Sequence, residues 1–173
     1  MSFASRVTLV VLGLLLSACS TQSSQTDVKL SRTGSWVLLP LVNLAQAPHA
    51  AEGAEQILFS VLAANGLTVT PAPQQQQPAD EFPLEDSQRL QQALQWARQR
   101  GDTYAITGSV EEWQYKSGLD GEPAVGITLR VIEPASGRIL WSASAARAGW
   151  SRESLAGAAQ TVLESLVADL PLQ

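Results

Sequence analysis

Apolar residues enter this chain in three rhythms, and each predicts its own kind of element. Val10-Val11-Leu12-Gly13-Leu14-Leu15-Leu16 is a greasy run, too short to cross a bilayer comfortably, which takes about 20 apolar residues. Trp36-Val37-Leu38-Leu39-Pro40-Leu41-Val42 is a second near-continuous run, suited to a strand buried on both faces. Pro40 has no amide hydrogen for a ladder, so it belongs at that strand's end or on an edge. Helical spacing follows in Ala54, Ile57, Leu58, Val61 and Leu62, between Pro48, suited to a first helical turn, and the stop Asn65-Gly66. Leu67-Thr68-Val69-Thr70 reads as a short strand. Asp86 or Ser87 caps a second helix, whose Leu90, Ala93, Leu94 and Ala97 face the core and which ends at Gly101. Then the period becomes two: Tyr104, Ile106, Gly108 and Val110 alternate, slip at Glu111-Glu112, and are followed by Trp113. Two adjacent acids that break an alternation predict a bulge, or a strand leaving the core. Val125, Ile127, Leu129 and Val131 alternate on a returning strand after a hairpin loop over 116–123. Glu133-Pro134-Ala135-Ser136-Gly137 is a tight turn into a third antiparallel strand through Ile139 and Trp141. Leu155, Ala159, Val162, Leu166 and Leu170 form the stripe of a last helix, with Ser151 as its cap.

The order β-α-β-α-β-β-β-α predicts an α+β fold, a mixed sheet of four to five strands with three helices packed on it. Between the first two helices, residues 71–83 hold four prolines and the glutamines Gln74 to Gln77. This reads as a surface loop and not a domain boundary, since the halves are too small to fold apart.

The first apolar run gains its meaning from its flanks. Arg6 precedes it and Leu16-Ser17-Ala18-Cys19 ends it, the make-up of a secretory signal peptide. The ending aliphatic-Ser-Ala-Cys resembles a bacterial lipobox. That resemblance implies diacylglycerol on the sulfur of Cys19, cleavage before it, and an acyl chain on the freed amine. Two or three chains anchor far more firmly than one, at about 0.8 kcal/mol per buried CH₂. Residue 20 is Ser, not Asp, which in the sorting rule of such lipoproteins points to the outer membrane, on its periplasmic face. Residues 1–18 are thus the signal, 19–33 the lipidated cysteine with a polar, flexible tether, and 34–173 one folded domain.

Cys19 is the only cysteine of 173 residues, which excludes an intramolecular disulfide and a Cys-based metal site. The formal charge is −5, and losing Arg6 with the signal makes it −6. A protein of pI about 4.8 is a poor nucleic-acid binder and attracts cationic partners where its acids cluster. His49 is the single histidine; it anchors no zinc site and no Ser-His-Asp set. Gly118 and Gly121 flank a hairpin tip and not a strand-to-helix phosphate turn. No catalytic, metal or cofactor site is expected. Carboxylates pair at Glu85-Asp86, Glu111-Glu112 and Asp120/Glu122; Glu85-Asp86 serve the positive N-terminus of the second helix, and two acids on one hairpin tip do not supply the pair facing across a cleft that glycosidase chemistry requires.

The segment from Ala97 to Val110 has a helix ending at Gly101, the acid Asp102, and a strand of the form aromatic-x-aliphatic-x-Gly-x-aliphatic. With Leu39-Pro40 in the opening strand and Pro134-Ala135-Ser136-Gly137 before the strand of Trp141, it resembles the domain shared by TolB N-terminal regions, CsgG and penicillin-binding-protein activator lipoproteins. Its small size and lack of an appended domain are most similar to the PelC-like outer-membrane lipoproteins of Pel exopolysaccharide export. The resemblance spans nearly all of residues 34–170. It implies a non-enzymatic ring of identical subunits under the outer membrane, guiding a cationic amino-sugar polymer to an outer-membrane export barrel. Under it, Asp120 and Glu122 project into the ring lumen; as bare residues around Gly121 they are also ordinary turn chemistry. Trp150, at the corner Ala148-Gly149-Trp150-Ser151, is either a core plug or an anchor at the headgroup level. The rival reading is a periplasmic lipoprotein that activates a peptidoglycan synthase. Such proteins reach across the periplasm, whereas a 14-residue tether spans at most roughly 50 Å.

Overall fold

The computed structural model describes residues 22–24, 28–73, 86–116, 121–149 and 153–173. The elements are β1 (Gln22–Ser24), β2 (Trp36–Asn43), α1 (Ala50–Ala64), β3 (Val69–Pro71), α2 (Asp86–Arg100), β4 (Tyr104–Tyr115), β5 (Pro123–Glu133), β6 (Arg138–Ala148) and α3 (Leu155–Ala168). From β2 onward this is the expected α+β order with five strands. The sheet runs β1-β6-β5-β4-β2-β3. β2 lies parallel to both β3 and β4, and every other pairing is antiparallel.

The continuous apolar run of β2 has a direct cause, because both faces of that strand are covered. Trp36 and Leu38 join Ile106, Ile127, Leu129, Val131 and Trp141 in the main core under α1 and α3. Val37 and Leu39 turn the other way and pack with Ala93 and Ala97 of α2. β5 and β6 are covered mainly on one face, by α3, which is why Ile127, Leu129 and Val131 alternate; Ile132 turns to the α2 side. Gly108 sits in β4 where only a glycine fits: a Cβ there would lie 1.9 Å from the Thr128 carbonyl oxygen of β5. The glycine in that strand's motif permits this close backbone approach.

Pro40 lies inside β2 and does not end it. β3 pairs only with Trp36, Val37 and Leu38, so by Pro40 the outer side of β2 has become an edge. The register with β4 shifts between Leu38 and Leu41 at the same place. The slip expected at Glu111-Glu112 is a register shift between Val110 and Glu112. α1 begins at Ala50 after His49, whose φ of 60° and ψ of 18° are left-handed, and not at Pro48. α3 is capped by Ser154, whose side chain accepts from the Gly157 N–H at 3.0 Å; Ser151 lies outside the described residues.

The stretch assigned to the tether carries structure in two places. β1 pairs antiparallel with β6, Gln22 opposite Ser144 and Ser24 opposite Ser142. Leu30 is fully buried in the main core and is held by its N–H to the Pro171 carbonyl and its carbonyl to the Gln173 N–H, both at 2.9 Å. The described fold therefore begins before residue 34. Val28, which packs on the same core, and Leu30 are the only two aliphatic residues in this polar stretch, too few to set a period that would reveal them.

Candidate functional site

Of the residues singled out in the sequence, Cys19, Asp120 and Trp150 lie outside the described residues. Their described neighbours converge on one end of the sheet. Glu122 is exposed, and its carbonyl accepts from the Lys116 N–H at 2.7 Å, closing the β4–β5 hairpin. Gly121 beside it has φ 54°, a left-handed turn that glycine adopts without strain. The Gly149 N–H donates to the Pro123 carbonyl at 2.7 Å, tying the end of β6 to that hairpin. β1 runs antiparallel to β6, so its Gln22 end is the one nearer the end of the sheet that carries Ala148 and Gly149. Cys19 is three positions upstream of Gln22, a reach of at most about 10 Å.

A second polar centre escapes the sequence reading. Past β3, the outer edge of β2 presents the N–H groups of Leu41 and Asn43 to carboxylates and not to a strand. Leu41 donates to Glu55 Oε1 of α1 and Asn43 to Asp86 Oδ2 of α2, both at 2.8 Å. Arg89 of α2 draws the acids together, with Nη1 3.1 Å from Asp86 and 3.5 Å from Glu52, and Nη2 4.0 Å from Glu55. Burial pushes the Glu55 carboxyl above its ordinary range; the Leu41 N–H and Arg89 oppose that shift without reversing it. The signal was available, since Glu55 falls on the same face of α1 as the buried Ala51, Ala54, Leu58 and Leu62. A charge on an apolar stripe needs a partner inside. His49 is exposed and lies 3.6 Å from Glu52, at the rim of this cluster.

The tryptophans divide by environment. Trp36 and Trp141 are core residues, and Trp36 stacks at 4.5 Å on Tyr104 with its Nε1 donating to the Ser31 carbonyl. The Arg100 guanidinium lies 4.6 Å from the Trp96 ring centre. Trp113 is half-buried at the end where β4 outlasts β2. Among the described residues, no three His, Cys, Asp or Glu side chains form a metal-binding group.

No family model matches the chain, and no curated protein matches it. Solved structures do. A PelC dodecamer from Paraburkholderia phytofirmans is 31% identical, with 89% of this chain and 98% of that one covered and a TM-score of 0.72. A single-substitution variant of the same dodecamer gives 31% identity, 90% and 99% coverage and a TM-score of 0.73. A lipoprotein from Neisseria meningitidis, 19% identical over 78% of this chain and 96% of that one, with a TM-score of 0.60, shares the fold. The class these define is a compact α+β domain found in bacterial lipoproteins. Within that class, the chain belongs to the PelC family.

Proposed function

We propose that this protein is a non-catalytic lipoprotein of the outer membrane's periplasmic face, acylated on Cys19, that assembles into a ring. The ring guides a cationic exopolysaccharide to its outer-membrane export barrel for biofilm matrix secretion. The observation that carries this reading is the 31% identity to PelC across nearly the whole of both chains, those PelC structures being dodecamers. The geometry supports it further. The strand leading from Cys19 and the corner before Trp150 converge on the hairpin that bears Glu122. An anchor, an aromatic residue for the headgroup level and a pair of acids then work at one end of each subunit.

Repetition gives weak charges their effect. Each copy contributes Asp120 and Glu122, and charges within the Debye length of about 8 Å reinforce one another. A polymer with free amines is drawn in and still slides, because no single contact is strong. Asp120→Asn with Glu122→Gln should leave protein level and ring size unchanged while secreted polymer per cell falls several-fold. Export at the wild-type level from an intact double-variant ring would remove these two residues from the guiding role and leave them as turn chemistry.

A further inference from the structure

We infer that β1 is a strap that releases under load: it lifts from β6 when the anchor is pulled, while a second lock at Leu30 stays shut, so each subunit has a short and a long reach from its lipid. This rests on the acylation of Cys19 proposed above for the source of the load. The two locks lie in series along the chain. A pull on Cys19 meets Gln22 after three positions and Val28 only after nine. With β1 paired, Cys19 stands at most about 10 Å from Gln22; with β1 lifted, it stands at most about 30 Å from Val28. Release therefore adds up to roughly 20 Å of chain without opening any part of the core. In the ring proposed above, all copies share one bilayer. A subunit whose anchor is overstretched then lengthens its tether instead of losing its lipid or its fold.

The two locks differ in what holds them. β1 pairs with β6 alone, Gln22 with Ser144, Ser23 with Ala143 and Ser24 with Ser142. From Ser20 to Asp27 the sequence holds no apolar residue. No large apolar side chain is drawn out of water there, and the attachment rests on a backbone ladder three residues long. Such bonds gain little net over bonds to water and are opposed by the entropy of the residues they order. The lock at Leu30 is of another kind. Leu30 is fully buried and Val28 packs on the same core. Besides the two bonds of Leu30 to the last residues of the chain, the Arg32 N–H donates to the Gln173 carbonyl at 3.1 Å. The Ser31 N–H donates to the Tyr104 hydroxyl at 3.3 Å, and the Ser31 carbonyl accepts from Trp36 Nε1 at 3.0 Å. Arg32 Nη1 donates to the Asn65 carbonyl at 3.1 Å. These bonds tie residues 30–32 to β2, β4, the end of α1 and the residues after α3. Opening this lock exposes a buried leucine and strips buried amides of their partners, so it opens only with the fold. β1 opens in a local event of much lower cost.

Hydrogen exchange on the purified, detergent-solubilised protein tests the two locks without a membrane. Amides of 22–24 should exchange more slowly than in a free peptide, yet at least a hundredfold faster than those of Leu30, Arg32 and Gln173. Ser23→Pro, which removes an amide hydrogen from β1, should bring that segment to the free-peptide rate and leave Leu30 and the unfolding midpoint unchanged. Equal protection of β1 and Leu30 would mean one lock and not two. Free-peptide exchange of 22–24 in the wild type would mean no docked strap. Either result overturns the inference. The load is tested by single-molecule pulling on the protein seated in a supported bilayer of phosphatidylethanolamine and phosphatidylglycerol, through an azide-bearing residue at the exposed Ala135. The tether should lengthen reversibly by up to roughly 20 Å before the lipid leaves the bilayer or the domain unfolds. Gln22→Cys with Ser144→Cys places two thiols at directly paired positions, within disulfide reach. The oxidised variant should lose the step and regain it with dithiothreitol. A step that persists in the oxidised variant, or its absence from a wild-type protein held by the bilayer, overturns the strap. Failure of the wild type to hold to the bilayer at all overturns the acylation reading, and with it the source of the load.

Discussion

Glu55 is a carboxylate placed where a folding chain should avoid one, on the core face of α1, and it is kept there by the bond it accepts. Pro40 and the end of β3 leave the Leu41 N–H on an edge that no strand covers, and Glu55 covers it at 2.8 Å. An unsatisfied buried amide costs about 1–3 kcal/mol, so Glu55→Ala should destabilise the protein by about that amount. Glu55→Gln retains an acceptor and isolates the charge. Burial raises the folded carboxyl above 4.5, helped by the charges of Glu52 and Asp86 and in spite of the Leu41 N–H and Arg89. The folded state therefore binds more protons than the unfolded one at any pH from 4.5 up to the raised value, and stability falls as pH rises through that window. Below 4.5 both states are protonated and the penalty vanishes. Relative to wild type, Glu55→Gln should gain stability as pH rises from 4.5 to 7.5, read as urea midpoints at one fixed protein concentration. A difference that does not change with pH would mean that Glu55 is not the titrating group.

Elements were legible wherever one periodicity held over many residues. The alternation of β5, the stripe of α1 and the two-faced run of β2 all fixed both type and place. The Val110–Glu112 bulge was legible too, because two acids interrupt a strict alternation. What failed to show is shorter than a period or decided by position in space. β1 has three residues, and Val28 with Leu30 makes a single pair on the core, so neither sets a period. Local chemistry places Pro40 at a strand end or on an edge; the edge is the outcome, and which of the two applies depended on where β3 stops pairing. The α3 cap illustrates the choice between equivalent signals. Ser151 and Ser154 both precede the stripe, and the structure uses Ser154, whose hydroxyl reaches the Gly157 N–H. Ser154→Ala should therefore cost about 1 kcal/mol, the usual loss of an N-cap, seen as a lower urea midpoint with unchanged slope. A cost within about 0.3 kcal/mol of zero would show that the first turn of α3 is held mainly by packing.

At the scale of the whole molecule, the spacing between the proposed anchor and the sheet is itself a functional quantity. Gln22 stands three positions after Cys19, and β1, which begins there, is paired with β6. Under the proposed function, each subunit is held within about 10 Å of its lipid, so the orientation of the ring follows from how β1 is paired. The role of the 14-residue tether then changes: what matters is its first few residues, because the chain is engaged from β1 and again at Leu30. Inserting about ten Gly/Ser residues between Ser20 and Thr21 leaves the acylation signal intact but adds a flexible reach of roughly 18 Å. The variant should still fractionate with outer membranes, whereas Cys19→Ser should release the protein to the periplasm. Ring size by native mass spectrometry should be unchanged by the insertion, because β1 and everything after it keep their sequence. Secreted polymer should nonetheless fall several-fold, because an oriented entrance has become a tethered one that tilts and drifts from the barrel. Wild-type export from the insertion variant would show that β1 orients nothing, and that acylation alone seats the ring.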